Sequence, residues 1–354
     1  MNQPTPYFIF KPETLEKNLE SLNALCKKYL KKYIIAYSVK TNSFPALLEK
    51  LDKLESNFEV ASLSELKLVE RFRKKILFNS PCKTEEELEK AIKNKALINV
   101  DSISELKKIA SLLKGKPYEI GLRVSLKESK FGVDESQINN IIKYTKEKNM
   151  KIVGIHIHPG TQQTLTDYEK FLSQAYDFLK KFFETNDSYL DYIDLGGGFP
   201  DNIKLKNFTH SLEEYIQAIA QTVGRLKDNY KTIILEPGRC LTSDAFELIT
   251  KVKVIKKNFD TTYAILDAGI NLLPKIALSQ FMFSKIEDKK IKPSTKPREY
   301  ILAGPLLFNN DTLGKFHGTL QEGDLIKIEN VGAYCYNLSW EISYGKPEII
   351  IEKS

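Results

Sequence analysis

Eight short β-rich segments alternate with amphipathic helical segments in the first two thirds of this 354-residue chain. This alternation constrains the fold most, because alternating strands and helices build a parallel sheet covered by helices. The predicted strands cover 33–37, 58–61, 76–79, 97–100, 119–124, 152–158, 192–195 and 232–235. Eight such units within about 200 residues predict a (β/α)8 TIM barrel. A doubly wound open sheet usually has a glycine-rich turn after its first strand, where this chain has Ser38-Val39-Lys40-Thr41-Asn42.

The pattern changes after Leu241, where short alternating segments separated by glycine and proline replace the helical ones. The predicted strands here are 248–255, 263–266, 299–303, 325–329 and 349–351. They indicate a second, all-β domain of the sandwich or barrel-like kind. Residues 7–10 form a predicted strand outside the barrel, and we expect it to pair with this β domain. The expected domains are therefore 26–243, the barrel, and 1–25 plus 244–354, the β domain.

Charge and composition narrow the class of partner. The 53 basic and 46 acidic residues give a net charge of +7, and the lysines are spread along the whole chain. The densest basic stretch, 288–298, is rich in proline and lacks aromatic residues, which favours a solvated loop over a nucleic-acid surface. No apolar run reaches the roughly 20 residues needed to span a bilayer. Four separated cysteines and no recognisable secretion signal favour a cytoplasmic protein.

Polar residues gather where the predicted barrel strands end, and barrel enzymes carry their chemistry at those carboxyl ends. In chain order these candidates are Lys40, Ser62, Asn79, Arg123, His158, the glycines 196–198 and Glu236. A lysine at the mouth of a barrel is partly desolvated, which favours its neutral amine and therefore Schiff-base chemistry. A lysine that extends into solvent is the structural alternative.

Two glycine-containing turns follow the seventh and eighth predicted strands. Gly196, Gly197 and Gly198 follow the seventh, and Gly238 and Arg239 follow the eighth. Bare backbone N–H groups converge on anions, and barrels often bind a phosphate at this position. The turns therefore predict a phosphate cradle, and two unrelated turns with a surface arginine are the alternative.

Glu236 ends the eighth predicted strand within an apolar run, so its carboxylate needs a cationic partner or a proton. Arg239 is one candidate partner. The protonated ring nitrogen of a cofactor is the other, and it would leave Arg239 for the phosphate.

Two histidines, His156 and His158, fall in the sixth predicted strand and are expected to share one face of it. The remaining two, His210 and His317, lie away from predicted strand ends, so we expect no catalytic metal. A histidine ring beside a flat cofactor fits better, with Thr161 as a phosphate donor. A lysine, a phosphate cradle and a carboxylate for a ring nitrogen together specify pyridoxal 5′-phosphate.

These residues lie in motifs that resemble the fold-type III pyridoxal-phosphate decarboxylases, the family of diaminopimelate, ornithine and arginine decarboxylases with an alanine-racemase-like barrel. The resemblance covers nearly the whole chain. Its motifs are Tyr37-Ser38-Val39-Lys40, Phe58-Glu59-Val60-Ala61-Ser62, His156-Ile157-His158-Pro159-Gly160-Thr161, Leu195-Gly196-Gly197-Gly198-Phe199-Pro200, Glu236-Pro237-Gly238-Arg239, Gly304-Pro305 and Gly332-Ala333-Tyr334.

The resemblance implies a role for each matching position. Lys40 would form the internal aldimine, His158 would stack on the cofactor ring and Glu236 would pair with the pyridinium. The phosphate would be held by Thr161, Gly197, Gly198, Gly238, Arg239 and Tyr334. Family members are usually head-to-tail homodimers whose active sites are completed across the interface, so a homodimer is expected here.

The chain departs from the family where the partner subunit would reach the substrate. Leu307 stands in place of a cysteine, and Phe308 in place of an acid that binds a distal ammonium in ornithine decarboxylases. Leu273 stands in place of the arginine that holds the distal carboxylate in diaminopimelate decarboxylases. The expected substrate is therefore an α-amino acid or amino-acid conjugate, of the kind used in siderophore or antibiotic assembly.

Glu236 favours one type of reaction. A carboxylate at the ring nitrogen makes the cofactor a strong electron sink, which suits loss of carbon dioxide. Alanine racemases, which the barrel also resembles, have an arginine at this position. The sequence thus predicts a decarboxylase. A racemase or epimerase is the first alternative, motivated by Leu307. A non-catalytic, decarboxylase-like regulatory binding protein is the second.

Overall fold

The computed structural model describes residues 3–186, 189–287 and 297–353. It divides into two compact units, one from Asn18 to Cys240 and one made of the N-terminal residues up to Lys17 together with those from Leu241 onward. This division falls near the limits of 26 and 243 expected from the sequence, which stay a prediction. Most of the basic stretch, 288–296, lies outside the described residues.

The first strand and helix of the chain, β1 (Tyr7–Phe10) and α1 (Pro12–Tyr29), precede a closed barrel of eight parallel strands. The barrel strands are β2 (Tyr33–Ser38), β3 (Asn57–Val60), β4 (Ile76–Asn79), β5 (Leu97–Val100), β6 (Tyr118–Arg123), β7 (Met150–His156), β8 (Leu190–Asp194) and β9 (Tyr230–Leu235). Strand β2 pairs with β3 on one side and with β9 on the other, which closes the barrel. The predicted (β/α)8 barrel is confirmed.

Helices connect these strands, and several begin at a side chain that caps free backbone N–H groups. They are α2 (Pro45–Lys53), α3 (Leu63–Val69), α4 (Glu85–Lys93), α5 (Ile103–Leu113), α6 (Ile138–Glu147), α7 (Leu165–Asn186), α8 (Asn202–Phe208), α9 (Leu212–Gly224) and α10 (Arg239–Thr242). Ser62, Thr84 and Ser102 accept hydrogen bonds from the backbone N–H three residues later. Each cap fixes where its helix leaves the mouth of the barrel.

The inside of the barrel is filled by side chains. Ala36, Leu77, Val153, Tyr192 and Ile234 form one buried cluster drawn from five different strands. Because these side chains fill the interior, the barrel is a packed core, and a ligand is expected at its mouth.

A buried ion pair joins Lys83, which follows β4, to Glu105 on α5. The Lys83 ammonium is inaccessible to solvent and donates to Glu105 Oε1 at 2.8 Å and to the carbonyl oxygens of Ser80 and Asn99, each at 2.9 Å. Burial lowers the pKa of Lys83 and raises that of Glu105, while the attraction between them opposes both shifts. Such a pair ties the turn after β4 to α5.

Replacing Lys83 with methionine is expected to lower the free energy of unfolding by about 3 kcal/mol, because Glu105 is left buried without its cation. Urea unfolding at neutral pH measures this loss. The double variant Lys83→Met, Glu105→Leu should recover most of it, because both charges are then removed. A single variant as stable as the unmodified protein would contradict the argument.

The second unit is built almost entirely of strands, as predicted. They are β1 with β10 (Phe246–Asn258), β11 (Thr261–Leu266), β12 (Met282–Lys285), β13 (Arg298–Ala303), β14 (Thr312–Gly318), β15 (Leu325–Glu329) and β16 (Ile349–Ile351), and the short helix α11 (Cys335–Leu338) lies among them in the chain. The sheet order is β12-β15-β10-β11-β13-β14, and β1 lies between β10 and β16. The predicted pairing of residues 7–10 with this unit is confirmed, because Tyr7 stands opposite Ile249.

Candidate active site

A cavity of about 830 Å³ opens at the carboxyl ends of the barrel strands. Its lining includes Lys40, Glu59, Asn79, His158, Thr161 and Glu236. The structure therefore brings these residues together with Arg123 and His156 at one mouth, and all of them except Glu59 were singled out from the sequence. All of them belong to the barrel unit.

Lys40 lies in a single 3₁₀ turn that follows β2 and directs its side chain into the cavity. Its Nζ donates to Glu59 Oε2 at 2.6 Å. Glu59 is completely buried, and the Ser38 hydroxyl donates to the same oxygen at 2.5 Å. Such a paired ammonium is held in one place by a charge-assisted hydrogen bond. The lysine is thus anchored at the mouth rather than extended into solvent.

Glu236 follows β9 directly and is buried. Its Oε1 accepts a hydrogen bond from Asn79 Nδ2 at 2.5 Å. Burial raises the pKa of Glu236 well above its ordinary value, and the neighbouring acids Asp194 and Glu59 raise it further. A carboxyl group in this state gains from a ligand that brings a positive charge or a basic nitrogen.

His156 and Asp194 lie next to Glu236, which sequence reasoning did not foresee. The three ligand-type atoms lie within 4.8 Å of one another, and His156 Nε2 is 3.6 Å from Glu236 Oε2. These donor types could hold a divalent cation. In this structure, however, asparagine amides already donate to both acids, from Asn79 to Glu236 and from Asn99 to Asp194.

Strand β7 ends at His156, two residues before the predicted end, yet His156 and His158 line the same cavity, in agreement with the expectation that they share one face. Their rings are 6.3 Å apart and inclined by 79°.

His158 is a neutral ring. Its Nδ1 accepts the backbone N–H of Gly160 at 3.0 Å, so the ring proton sits on Nε2. Burial lowers the pKa of His158 to about 3, and the positive charges of Lys40 and Arg123 act in the same direction. An uncharged ring at this position suits stacking on a flat ligand, and it stays neutral throughout the physiological pH range.

The glycines after β8 allow three loops to meet without side chains between them. A methyl group on Gly196 would come 2.5 Å from the His158 ring, and one on Gly197 would come 2.3 Å from the carbonyl oxygen of Glu236. Gly198 has a positive φ of 83°, and a methyl group there would meet the Gly160 carbonyl at 2.9 Å. Bare backbone therefore lines this edge of the site, as a phosphate cradle requires.

Three side chains lie at this edge. Arg239 Nε donates to Thr161 Oγ1 at 3.2 Å, which joins the loops after β7 and β9. The buried hydroxyl of Thr41 lies where a side chain on Gly238 would be and has no partner among the described residues. A bare glycine edge, a guanidinium and an unpartnered hydroxyl fit the phosphorylated cofactor expected from the sequence.

Replacing Gly198 with alanine is expected to weaken cofactor binding about tenfold or more. A left-handed backbone costs a residue with a side chain about 1–2 kcal/mol, and the turn relaxes away from the cradle to relieve it. Fluorescence titration with the cofactor measures the affinity. Gly224→Ala is the matched control, because its methyl group would enter open space and its φ is not positive. Equal affinities for the two variants would refute the cradle.

The remaining predicted positions belong to the β-rich unit. Tyr334 precedes α11 with a positive φ of 65°. Leu307 is 100% exposed and Phe308 is 45% exposed, both in the turn between β13 and β14. The carboxylate of Asp311 holds this turn, because it accepts the backbone N–H groups of Leu306 and Ile270, each at 2.8 Å.

Sequence reasoning missed Glu59, Asn99, Tyr192 and Asp194 as parts of the site. A signal existed for Glu59, because an acid in the middle of a short apolar strand must be paired when both faces of that strand are covered. Asp194 gave the same kind of signal, because it is an acid at the end of an apolar strand, just before the three glycines. Asn99 and Tyr192 gave no signal, since single polar residues in strands are common.

A model of the family described as "Pyridoxal-dependent decarboxylase, pyridoxal binding domain" matches residues 16–243, well over half of the chain. The diaminopimelate decarboxylase of Haemophilus influenzae is 30% identical over 361 residues, covering 95% of this chain and 85% of the relative. The diaminopimelate decarboxylase of Methanocaldococcus jannaschii is also 30% identical, and the match covers 98% of this chain and 86% of the relative.

Solved structures agree with this sequence likeness. The diaminopimelate decarboxylase of Methanocaldococcus jannaschii superposes with a TM-score of 0.87 at 26% identity and covers 98% of this chain and 87% of its own. The diaminopimelate decarboxylase of Helicobacter pylori, complexed with L-lysine, superposes with a TM-score of 0.85 at 27% identity. The match covers 96% of this chain and 89% of that one.

Proposed function

The chain belongs to the pyridoxal-dependent decarboxylases, and from that membership we propose that Lys40 carries the cofactor and that Glu236 faces the cofactor's ring nitrogen. The protein is a carboxy-lyase that decarboxylates an amino acid with pyridoxal 5′-phosphate. The expectations of an enzyme and of this cofactor are confirmed, and a non-catalytic regulatory protein is set aside. The proposal is carried by one observation, that the Lys40 amine and the Glu236 carboxyl line the same cavity.

When bound, the cofactor accepts the electron pair that remains on the substrate when carbon dioxide leaves. The chain's own residues prepare the site for it. Lys40 would bond to the aldehyde, and Glu59, 2.6 Å from its Nζ, would hold and return the proton of that amine. Glu236 would hold a proton at the ring nitrogen, and the neutral His158 would cover one face of the ring.

The phosphate would lie against Gly197, Gly198, Gly238, Arg239 and Thr161, with Tyr334 as a further donor. The support for the barrel residues is the side-chain-free edge described above. Holding the phosphate at the glycine edge, the aldehyde at Lys40 and the ring nitrogen at Glu236 would leave the ring a single orientation. In that orientation the scissile bond can be held perpendicular to the ring plane.

The substrate we propose is an α-amino acid or amino-acid conjugate, used in specialised metabolism such as siderophore or antibiotic assembly. Leu273 is buried and Leu307 and Phe308 are exposed, and none of the three offers a charge to a distal carboxylate or ammonium. Diaminopimelate is the second candidate, because the relatives are named for it.

A panel of free and conjugated amino acids separates these candidates by release of carbon dioxide. The proposal expects turnover of substrates with an uncharged or conjugated distal end. It expects little turnover of meso-diaminopimelate, ornithine or arginine. Turnover of diaminopimelate above all others would establish the second candidate and overturn the first.

Racemisation or epimerisation is the alternative reaction with the same cofactor, and Leu307 is the feature that favours it. Glu236 favours decarboxylation, because a protonated ring nitrogen stabilises the charge left by carbon dioxide. Following chirality and carbon dioxide release in the same reaction decides between them. Inversion without gas release would refute the decarboxylase on the substrate tested.

We propose a homodimer whose sites are shared between subunits. The support is the exposed pair Leu307 and Phe308, since large apolar side chains at a turn are typical of interfaces. Analytical ultracentrifugation tests the assembly, and Leu307→Asp should weaken it. A monomer at micromolar concentration would contradict the proposal.

A cytoplasmic location also stays a prediction. Within the described residues, no helix has the length and apolarity to cross a membrane.

A further inference from the structure

A second cavity, of about 840 Å³, adjoins the active-site cavity within the barrel unit, and the function proposed above makes no use of it. Five residues line both cavities. Four lie in the loop after β6 and one lies on α7: Ser125, Leu126, Lys127, Ser129 and Gln174. Because the same side chains border both spaces, the two cavities meet at this loop and at α7.

Helix α7 forms a wall of both cavities. Asp167, Phe171 and Gln174 line the active-site cavity, and Gln174, Phe178 and Lys181 line the second. Successive members of this series are four, three, four and three residues apart, so they form one stripe along one face of the helix. The two cavities therefore follow each other along α7. Together they form one groove, which we call the α7 groove, and it leads away from the cavity that holds Lys40.

The α7 groove is longer than a free amino acid. At 1.5 Å per residue, the stripe from Asp167 to Lys181 is about 21 Å long. An extended chain covers about 3.4 Å per residue, so the stripe matches about six residues of extended chain. A free amino acid held at Lys40 would lie in the first cavity alone. The second cavity thus has room for a further part of the substrate, attached at its distal end.

The α7 groove offers both apolar and amide surface to such a part. Phe171 and Phe178 line it with buried rings, and the exposed Gln174 lies between them on the same stripe. A glutamine amide donates and accepts hydrogen bonds, whereas the rings favour contact with methylene groups. A chain in which methylene and amide groups alternate meets both requirements.

The charged side chains of α7 along the groove give little attraction to a charged ligand. Lys181 forms an ion pair with Glu135, and Lys170 lies 3.4 Å from Asp167. Both pairs are exposed, and such pairs are screened by solvent. Asp177, which also lines the second cavity, is exposed and screened in the same way. The α7 groove therefore favours an uncharged arm over a charged one.

We propose that the α7 groove binds an arm that the substrate carries at its distal end, and that this arm is an uncharged chain joined to the amino acid by an amide bond. The inference rests on the proposed function, because the amino-acid end must then lie beside Lys40. The arm takes no part in bond breaking. Its binding energy holds the reacting end in place, which is how contacts remote from the reacting bond raise the rate of an enzyme.

Two matched pairs of compounds test this with the cofactor-loaded protein. In the first pair, L-glutamine is compared with L-glutamate that carries an amidated tetraglycine chain on its γ-carboxyl group. In the second, Nε-acetyl-L-lysine is compared with L-lysine that carries an acetylated tetraglycine chain on Nε. Four glycines add about 14 Å when extended, enough to reach the second cavity. The change in cofactor absorbance on binding measures the affinity of each compound.

In at least one pair, the longer compound should bind the unmodified protein about tenfold more tightly or better, since the arm adds apolar contact and hydrogen bonds. No gain in either pair would overturn the inference and leave the proposed function intact. If added pyridoxal 5′-phosphate causes no absorbance change in the protein, the proposed function itself fails.

Asp177→Trp places a large side chain in the second cavity, which Asp177 lines from an exposed position on α7. It should abolish most of the gain from the tetraglycine arm. Lys180→Trp is the matched control, because it makes an equally large substitution three residues further along α7, at an exposed position that lines neither cavity. Equal gains in the two variants would overturn the inference. If Asp177→Trp fails to fold, the two pairs of compounds on the unmodified protein still decide it.

Discussion

Lys40→Ala is expected to abolish decarboxylation and the absorbance band of the lysine-bound cofactor. The loss should be on the order of 10³-fold or more, because a covalently placed group reacts with an effective concentration that no free amine reaches. The substitution removes the side chain beyond Cβ, including the amine, and leaves the backbone bond from Ser38 N–H to the Pro237 carbonyl in place. Steady-state assays with the best substrate of the panel, together with absorbance titration, measure both effects.

Lys28→Ala controls for the loss of a lysine, because Lys28 is an exposed residue of the same unit paired with Glu213. It should leave turnover and absorbance unchanged. Added methylamine should restore part of the activity of Lys40→Ala, since it replaces the missing amine. A Lys40→Ala protein that turns over at the normal rate would refute the assignment of this residue.

Glu236→Gln is expected to lower kcat by about 10²- to 10³-fold with a smaller change in KM. The glutamine can still accept from Asn79, but it cannot keep a proton at the ring nitrogen. A charge that develops only as the bond breaks then loses its stabilisation, which affects the rate more than substrate binding. Comparing kcat and KM across pH measures the effect.

Glu213→Gln, an acid at the surface of the barrel unit, is the control for Glu236→Gln and should behave like the unmodified protein. If kcat of Glu236→Gln stays within about threefold, the ring nitrogen does not depend on this carboxyl group. The decarboxylase chemistry would then need another electron sink, and racemisation would become the better hypothesis.

Much of the barrel site could be predicted because the fold converts chain order into position. Once eight strands alternate with helices, every strand end lies at one mouth, so Lys40, His158 and Glu236 had to meet there. The glycine turns were predictable for the same reason, since they follow the last two strands. No distance between residues was needed for these predictions.

Other features could not be predicted, since they depend on side chains that meet across the barrel. Asp194 and Glu236 are far apart in the chain, and they lie close together because β8 and β9 are neighbouring strands. Hydrogen bonds also join Tyr192 on β8 to Asn99 on β5, and Asn99 to Asn79 on β4. The predicted strand 152–158 ran two residues past the observed end at His156, because strand ends are set by the backbone after the last paired residue.

The sequence by itself determined the barrel, the β-rich second unit and which polar residues lie at the ends of the barrel strands, because periodicity and turn residues act locally along the chain. Only the tertiary structure decided the protonation of the site. The neutral His158, the acid pair Asp194 and Glu236, and the anchored Lys40 all depend on burial and on partners from other strands. A pKa responds to everything within a few ångströms, and that neighbourhood exists only once the barrel has closed.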